Sequence, residues 1–278
     1  MHAIGVGSVA LMLFGLCPAA SSAPQPTIAD AAPAEVPSVP PAQSALAAAE
    51  SLNAQVRAVV EAAEAAAKEA DKKAAEARRW QASAQTSAAK ARDAAQKAET
   101  KAAGYGVLTG TGSGEDKATW RYAGQVRARK ENGFGVEAWS SGERNEGEFL
   151  NDEENGAMVS VYPAGTRYEG EFRSAKRSGA GVYTWTDGDH YEGEFSNASR
   201  NGYGIYYGAE TKPFTAKSGQ WINGRLTGQG IIFWKDGKRS AGSFQNDQLD
   251  GYGALFDARG TVIEQGYYEF GELKSPLH

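Results

Sequence analysis

Tyr168-Glu-Gly-Glu-Phe172, then six residues, then Gly179-Ala-Gly181-Val-Tyr-Thr-Trp-Thr-Asp-Gly188 is the stretch that decides the fold. Its period is two. Tyr168, Gly170 and Phe172 fall on one face of an extended chain with Glu169 and Glu171 on the other, and Gly179, Gly181, Tyr183 and Trp185 share a face in turn. The pattern recurs every 23 residues, with copies starting at Tyr122, Asn145, Tyr168, Tyr191, Lys217 and Ser240. Position three is glycine in every copy (Gly124, Gly147, Gly170, Gly193, Gly219, Gly242), and position five is apolar, mostly aromatic (Val126, Phe149, Phe172, Phe195, Trp221, Phe244). Positions twelve and fourteen form a Gly-x-Gly, broken only at Gly156/Met158, and the fourth copy is longer around Glu210 to Lys217. A fixed period of this length marks a repeat architecture in which each unit stacks on its neighbours.

Turn residues sit where hairpins need them. Asn223-Gly224 and Asn246-Asp247 follow first strands; Thr186-Asp187-Gly188 and Lys235-Asp236-Gly237 follow second ones. Glycine weakens a strand, but it also clears room for an aromatic ring from a neighbouring strand to lie over the backbone. The pattern therefore predicts a mainly β repeat fold: an elongated, single-layer, twisted antiparallel ribbon of β-hairpins. It should have about 13 strands and run some 60 Å at the usual strand spacing. The glutamates Glu146, Glu148, Glu169, Glu171, Glu192 and Glu194 should mark a solvated opposite face.

These copies resemble the MORN repeat, whose hallmark is Tyr-Glu-Gly-Glu-Phe, a short turn, then Gly-x-Gly with aromatics. The resemblance covers residues 104–272, counting partial copies at Gly104-Tyr-Gly106 and Gly266-Tyr-Tyr-Glu-Phe270. It implies a scaffold that holds proteins together, often near membranes, with binding to acidic phospholipids proposed for some members.

Composition divides the rest of the chain. Only 3 of the 34 glycines lie in residues 1–103, and only Phe14 and Trp80 of the aromatics do. Residues 1–22 read as an export signal, with an uncharged run from Ala3 to Ala20 and cleavage after Ala20 or Ser22. A retained membrane anchor and acylation at Cys17 are the alternatives on the same residues. Residues 23–43 are a Pro/Ala-rich linker holding six of the ten prolines. Residues 44–103 form an alanine-rich helix without Pro or Gly before Lys101. Val56, Ala63, Ala70, Ala77, Ala84, Ala91 and Ala98 recur every seven residues, and in the flanking i+4 row Gln81 is the one polar break. That stripe suits an exposed stalk or a coiled-coil seam making a homo-oligomer.

Function classes narrow quickly. The net charge of −5 belongs to the C-terminal part, which argues against nucleic acid and against a simple electrostatic lipid site. Cys17, His2, His190 and His278 are the only cysteine and histidines, so no metal or nucleophilic constellation can be drawn, and no catalytic residue, metal ligand or cofactor is assigned. The basic residues, among them Arg127, Arg129, Arg144, Arg167, Arg177 and Arg239, are scattered. The expected function is a non-enzymatic scaffold in the periplasm or cell envelope, with a protein partner bound through an aromatic trough or by strand addition at an end strand. The trough candidates are Tyr168, Phe172, Tyr183, Trp185, Tyr191, Phe195, Tyr206, Trp221 and Trp234. The alternative is a module for envelope glycan or phospholipid on the same rings.

Overall fold

Two-residue turns set the hairpins. Both central residues of Asn151-Asp152, Ser174-Ala175, Asn197-Ala198, Asn223-Gly224 and Asn246-Asp247 have positive φ, the type I′ geometry whose twist matches that of paired strands. The computed structural model describes residues 42–112 and 117–276. The export signal, Cys17 and all but the last two residues of the linker lie outside the described residues. The helix begins inside the expected linker, α1 running Ala42–Glu99. The sheet opens with β1 Tyr105–Thr111, β2 Thr119–Arg127, β3 Lys130–Trp139, β4 Arg144–Leu150 and β5 Glu153–Val161. It continues through β6 Arg167–Arg173, β7 Lys176–Thr184, β8 His190–Ser196, β9 Ser199–Tyr207 and β10 Phe214–Ile222. It closes its run with β11 Arg225–Trp234, β12 Arg239–Gln245, β13 Gln248–Phe256, β14 Val262–Glu269 and β15 Glu272–Pro276. Among the described residues these make one open antiparallel sheet of 15 strands in sequence order, against about 13 expected: twelve from the six full copies, β1 from the first partial copy and a full hairpin, β14 and β15, from the last.

The two glycines of the Gly-x-Gly do different work. At position fourteen a Cβ on Gly135, Gly181 or Gly204 would stand 2.2, 2.5 or 2.3 Å from the ring or hydroxyl of Tyr122, Tyr168 or Tyr191, so here the aromatic ring does lie over a bare backbone. At position twelve the neighbour is a different group. Gly179 and Gly202 have φ of 58° and 108°, and their missing Cβ leaves room for the carboxylates of Glu171 and Glu194. Glu194 then accepts the N–H of Tyr203 at 2.8 Å, and Gln125 and Gln220 do the same for Phe134 and Gln229. Those position-four side chains sit at a bulge that shifts the register just after the position-three glycine, as between Gly170 and Phe172, which adds bend and twist to the ribbon.

Where the leading tyrosine is missing, another side chain fills its slot. In the second copy Asn145 replaces Tyr and Met158 replaces Gly; Met158 is fully buried, and its Sδ lies 2.4 Å from where a Cβ on Gly147 would be. In the fifth and sixth copies Leu226 and Leu249 come within 3.0 Å of the Cβ positions of Gly230 and Gly253.

The sheet is the expected single layer of strands, but α1 does not stand free as a stalk: it packs its heptad stripe on one face of the chain's own sheet. The helix crosses the strands from β14 back to β1 on the glutamate face. Its heptad stripe, Val56 to Ala98, is 0–3 % exposed. Val56 and Ala63 pack on Ile231, Ala241 and Ala254, Ala70 and Ala74 on Ile205, Ala77 on Val182, and Ala84 and Ala88 on Val159. The physical reason is a match of periods. Seven helical residues rise about 10.5 Å, and the two strands of one repeat span about 9.6 Å, so one heptad covers one repeat. Alanine suits this contact because it lets the helix backbone approach the sheet closely.

Polar pairs follow the same gearing. Arg92, Gln85 and Arg78, seven apart, meet Glu146, Glu169 and Glu192, 23 apart. Gln81, the break in the apolar pattern, donates to Glu169 at 2.7 Å. Glu64 and Glu99 carry the opposite charge and pair with Arg239 and Arg121. The glutamate face is therefore not solvated: Glu146, Glu169 and Glu192 are buried beneath the helix. Burial alone would raise the Glu146 carboxyl, but Arg92 and Arg144 outweigh it and hold it below its ordinary value; Arg167, Gln81 and Gln85 do the same for Glu169.

Candidate functional site

With one face sealed, the other face of the ribbon is the trough. Its floor is built of rings packed edge to face. Tyr168 meets Phe172 at 5.3 Å and Phe195 at 5.1 Å between centroids, and Tyr191 meets Phe195 and Trp221 at 5.3 Å each. The leading tyrosines also donate their hydroxyls into the bulge, Tyr168 to the Glu171 carbonyl at 3.0 Å and Tyr191 to that of Glu194 at 3.2 Å. Trp221 donates its indole N–H to the Gly204 carbonyl at 2.9 Å.

The nine aromatic candidates thus fall into two sets. Tyr168, Phe172, Tyr191, Phe195 and Trp221 are buried and form the core of the open face. Tyr183, Trp185, Tyr206 and Trp234 are half-buried and stand above that floor. The first three run in a line, with 4.6 Å from Tyr183 to Trp185 and 5.3 Å from Trp185 to Tyr206. Trp234 stands apart, its indole N–H on the Ser240 hydroxyl at 2.9 Å.

The Tyr-Glu-Gly-Glu-Phe hallmark does not point to position ten, yet that position sets the chemistry of the trough. In chain order it reads Glu131, Glu154, Arg177, Arg200, Leu226 and Leu249. Each residue pairs across its hairpin with the position-five residue, as Arg177 does with Phe172 and Arg200 with Phe195. The trough is therefore acidic at one end, basic in the middle and apolar at the other end. The signal was in the repeat itself: position ten is charged where a tyrosine, or the Asn145/Met158 substitute, leads the copy, and is leucine where Lys217 or Ser240 does.

Each stretch has its own electrostatics. Glu131 is 3 % exposed, and burial, reinforced by Glu137, Asp152 and Glu154, raises its carboxyl to about 8. Burial likewise raises Glu154 to about 7, and Asn145 bridges Glu154 and Glu137 at 3.0 and 3.2 Å. In the middle, the Arg177 guanidinium lies 5.0 Å from the Tyr183 ring centroid, while that of Arg200 lies 4.8 Å from Trp221, 5.0 Å from Tyr206 and 5.2 Å from Trp185. Burial holds Arg200 below its usual value. At the far end, Trp234, Leu249, Leu255 and Tyr268 line an open groove of about 540 Å³, rimmed by Lys235, Asp236, Lys238 and Glu264. Among the described residues no group of three His, Cys, Asp or Glu side chains is placed to hold a metal ion.

The fold and this face define a hairpin-repeat ribbon with a sealed side and an open, ring-lined side. The family model of the MORN repeat matches the chain in five places, residues 122–144, 168–190, 191–210, 218–239 and 241–262. The chain thus carries MORN repeats, which are generally non-catalytic modules that bind protein or membrane. The copy at Asn145 is outside the matched residues, where Asn145 and Met158 replace the hallmark Tyr and Gly, although β4 and β5 form the same hairpin. A search of curated proteins finds no match.

Proposed function

We propose that the protein is a non-enzymatic scaffold of the cell envelope, exported by its N-terminal segment, that binds a protein partner along the open trough. One observation carries the reading: the helix occupies the glutamate face from β1 to β14, and among the described residues nothing forms a second layer over the opposite face, where Tyr183, Trp185, Tyr206 and Trp234 stand half-buried around open clefts. A face rich in partly buried aromatic rings is the composition from which interface anchors are drawn. The general role of MORN repeats as protein- or membrane-binding modules supports it.

The test is photocrosslinking in the cell from position 183, with Tyr183 replaced by a photoreactive aromatic. Discrete protein adducts are expected. Adducts to lipid or glycan would replace this reading with the module for those polymers, and the absence of any adduct would remove the trough as the binding face. Export is tested separately, by fractionation of the tagged chain and the mass of its N-terminus.

A further inference from the structure

The basic stretch of the trough holds two cations, Arg177 and Arg200, with no carboxylate in ion-pair contact among the described residues. Each spends part of its donor capacity on the turn of the next repeat, Arg177 on the Ala198 carbonyl at 2.7 Å and Arg200 on the Gly224 carbonyl, and Arg177 also donates to the Tyr162 hydroxyl of the preceding repeat at 2.6 Å. The Nε of Arg177 and the Nη1 of Arg200 remain buried without a hydrogen-bond partner. The nearby lysines are already matched, Lys212 with Asp189 at 3.1 Å and Lys217 with Asp247 at 2.9 Å. Asp247, the carboxylate that Arg200 feels, is thereby held by another cation.

A buried cation without a counter-charge is costly, and an apolar side chain of similar size commonly serves packing as well or better. Leu226 and Leu249 fill the same repeat position two copies further on, so this fold accepts the apolar solution. The two arginines also stand at solvent-open clefts. One of about 180 Å³ lies between Arg177 and Arg200 with Tyr183, Trp185 and Phe195, and one of about 240 Å³ lies beyond Arg200 with Tyr206, Phe214 and Trp221.

Resting on the trough as the partner face, we infer that Arg177 and Arg200 seat an acidic side chain of a polypeptide partner, whose large apolar side chain enters the groove at Trp234, Leu249 and Tyr268. Four strand spacings separate β9 from β13, about 19 Å, or about six residues of extended chain. A single anionic headgroup satisfies the arginines alone, whereas a linear chain reaches both places.

The test uses the full chain and two synthetic peptides of identical composition, followed by the change in its tryptophan fluorescence, to which Trp185, Trp221 and Trp234 in the trough contribute. In the first peptide a Glu pair stands about six residues from a Phe-Leu pair, with a Lys pair at the far end; in the second the Glu and Lys pairs are exchanged. The first is expected to bind at least about tenfold more tightly, with the preference shrinking as salt rises. In the double variant Arg177→Met with Arg200→Met the preference should vanish while the melting temperature holds or rises. Equal binding of the two peptides by the wild-type chain overturns the acidic seat, as does a preference that persists in the double variant. The wild-type comparison stands by itself if that variant fails to fold. Equal binding together with protein adducts from position 183 would leave the trough as partner face and remove only the acidic seat. No peptide binding and no adducts would remove both. Displacement of the peptide by anionic lipid vesicles, with lipid adducts at position 183, would overturn the choice of a polypeptide.

Discussion

The two faces of the sheet solve the same problem in opposite ways. On the glutamate face the chain covers itself: alanines fill the interface, and each buried carboxylate under the helix has a cation or amide of α1 to answer it. On the trough face the rings cover one another, and among the described residues no carboxylate pairs with the central cations, Arg177 and Arg200. The difference teaches that charge on a repeat protein is read by its partner across the layer, not by its place in the repeat. Glu169 and Arg177 are both charged and half or more buried, yet among the described residues only the first has an opposite charge paired with it.

The largest effect is expected where the sealed face is forced open. Ala63→Glu puts a carboxylate into a site with no exposure and should cost about 3–5 kcal/mol; Ala65→Glu, on the exposed side of the same turn, should change stability by less than about 0.5 kcal/mol. Chemical denaturation of the two variants checks this. A midpoint that shifts with protein concentration would restore the seam to a contact between chains.

On the open face, Tyr168→Ala removes a fully buried ring from above Gly181 and should cost about 3–5 kcal/mol. Tyr183→Ala, half-buried above it, should cost much less and act on partner capture instead. If thermal melts ranked the two variants in the reverse order, the division between floor and exposed rings would be wrong.

Smaller, and with a sign of its own, is the pH dependence of the acidic end. Glu131 and Glu154 have folded values of about 8 and about 7, above the ordinary 4.5, so between those limits the folded state holds more protons than the unfolded state. Their contribution to stability is therefore greatest below the ordinary value and falls as pH rises through 7 and 8. Glu146 and Glu169 are shifted downward, and their contribution is lost only as pH drops below the ordinary range. Melting temperature should decline from pH 5 to pH 8.5 by the equivalent of at least about 1 kcal/mol, and Glu131→Gln should flatten that decline.

The smallest effect is at the rim of the helix. Arg92→Ala leaves Glu146 with Arg144 alone and should cost about 1 kcal/mol, reduced by the exposure of the arginine. A double-mutant cycle with Glu146→Gln measures the pair.

Much of this architecture was legible because the repeat is local. Period-two segments, turn residues and spaced glycines act within a hairpin, so strand order and the ring-over-glycine contact at Gly135, Gly181 and Gly204 follow from short-range sterics. That Tyr183, Trp185, Tyr206 and Trp234 stay partly exposed was legible from the limited cover a single layer gives, but not that Trp221 is buried in the floor, which depends on its packing against Tyr191 and Tyr206 of the preceding copy. The role of the position-twelve glycines was not legible, because the bulge that brings Glu171 and Glu194 over them is not visible in the alternation.

By itself the sequence determined the hairpin ribbon, the helix and its seven-residue stripe, since each rests on interactions a few residues long. Only the tertiary structure decided what the stripe is for. An alanine seam fits any flat apolar surface, and the choice between a second helix and the chain's own sheet turns on the near-equality of one heptad and one hairpin repeat, a match between distances in different elements. The same holds for charge: whether Glu192 or Arg200 is satisfied depends on what lies across the layer, and in one case that is Arg78 and in the other an open cleft.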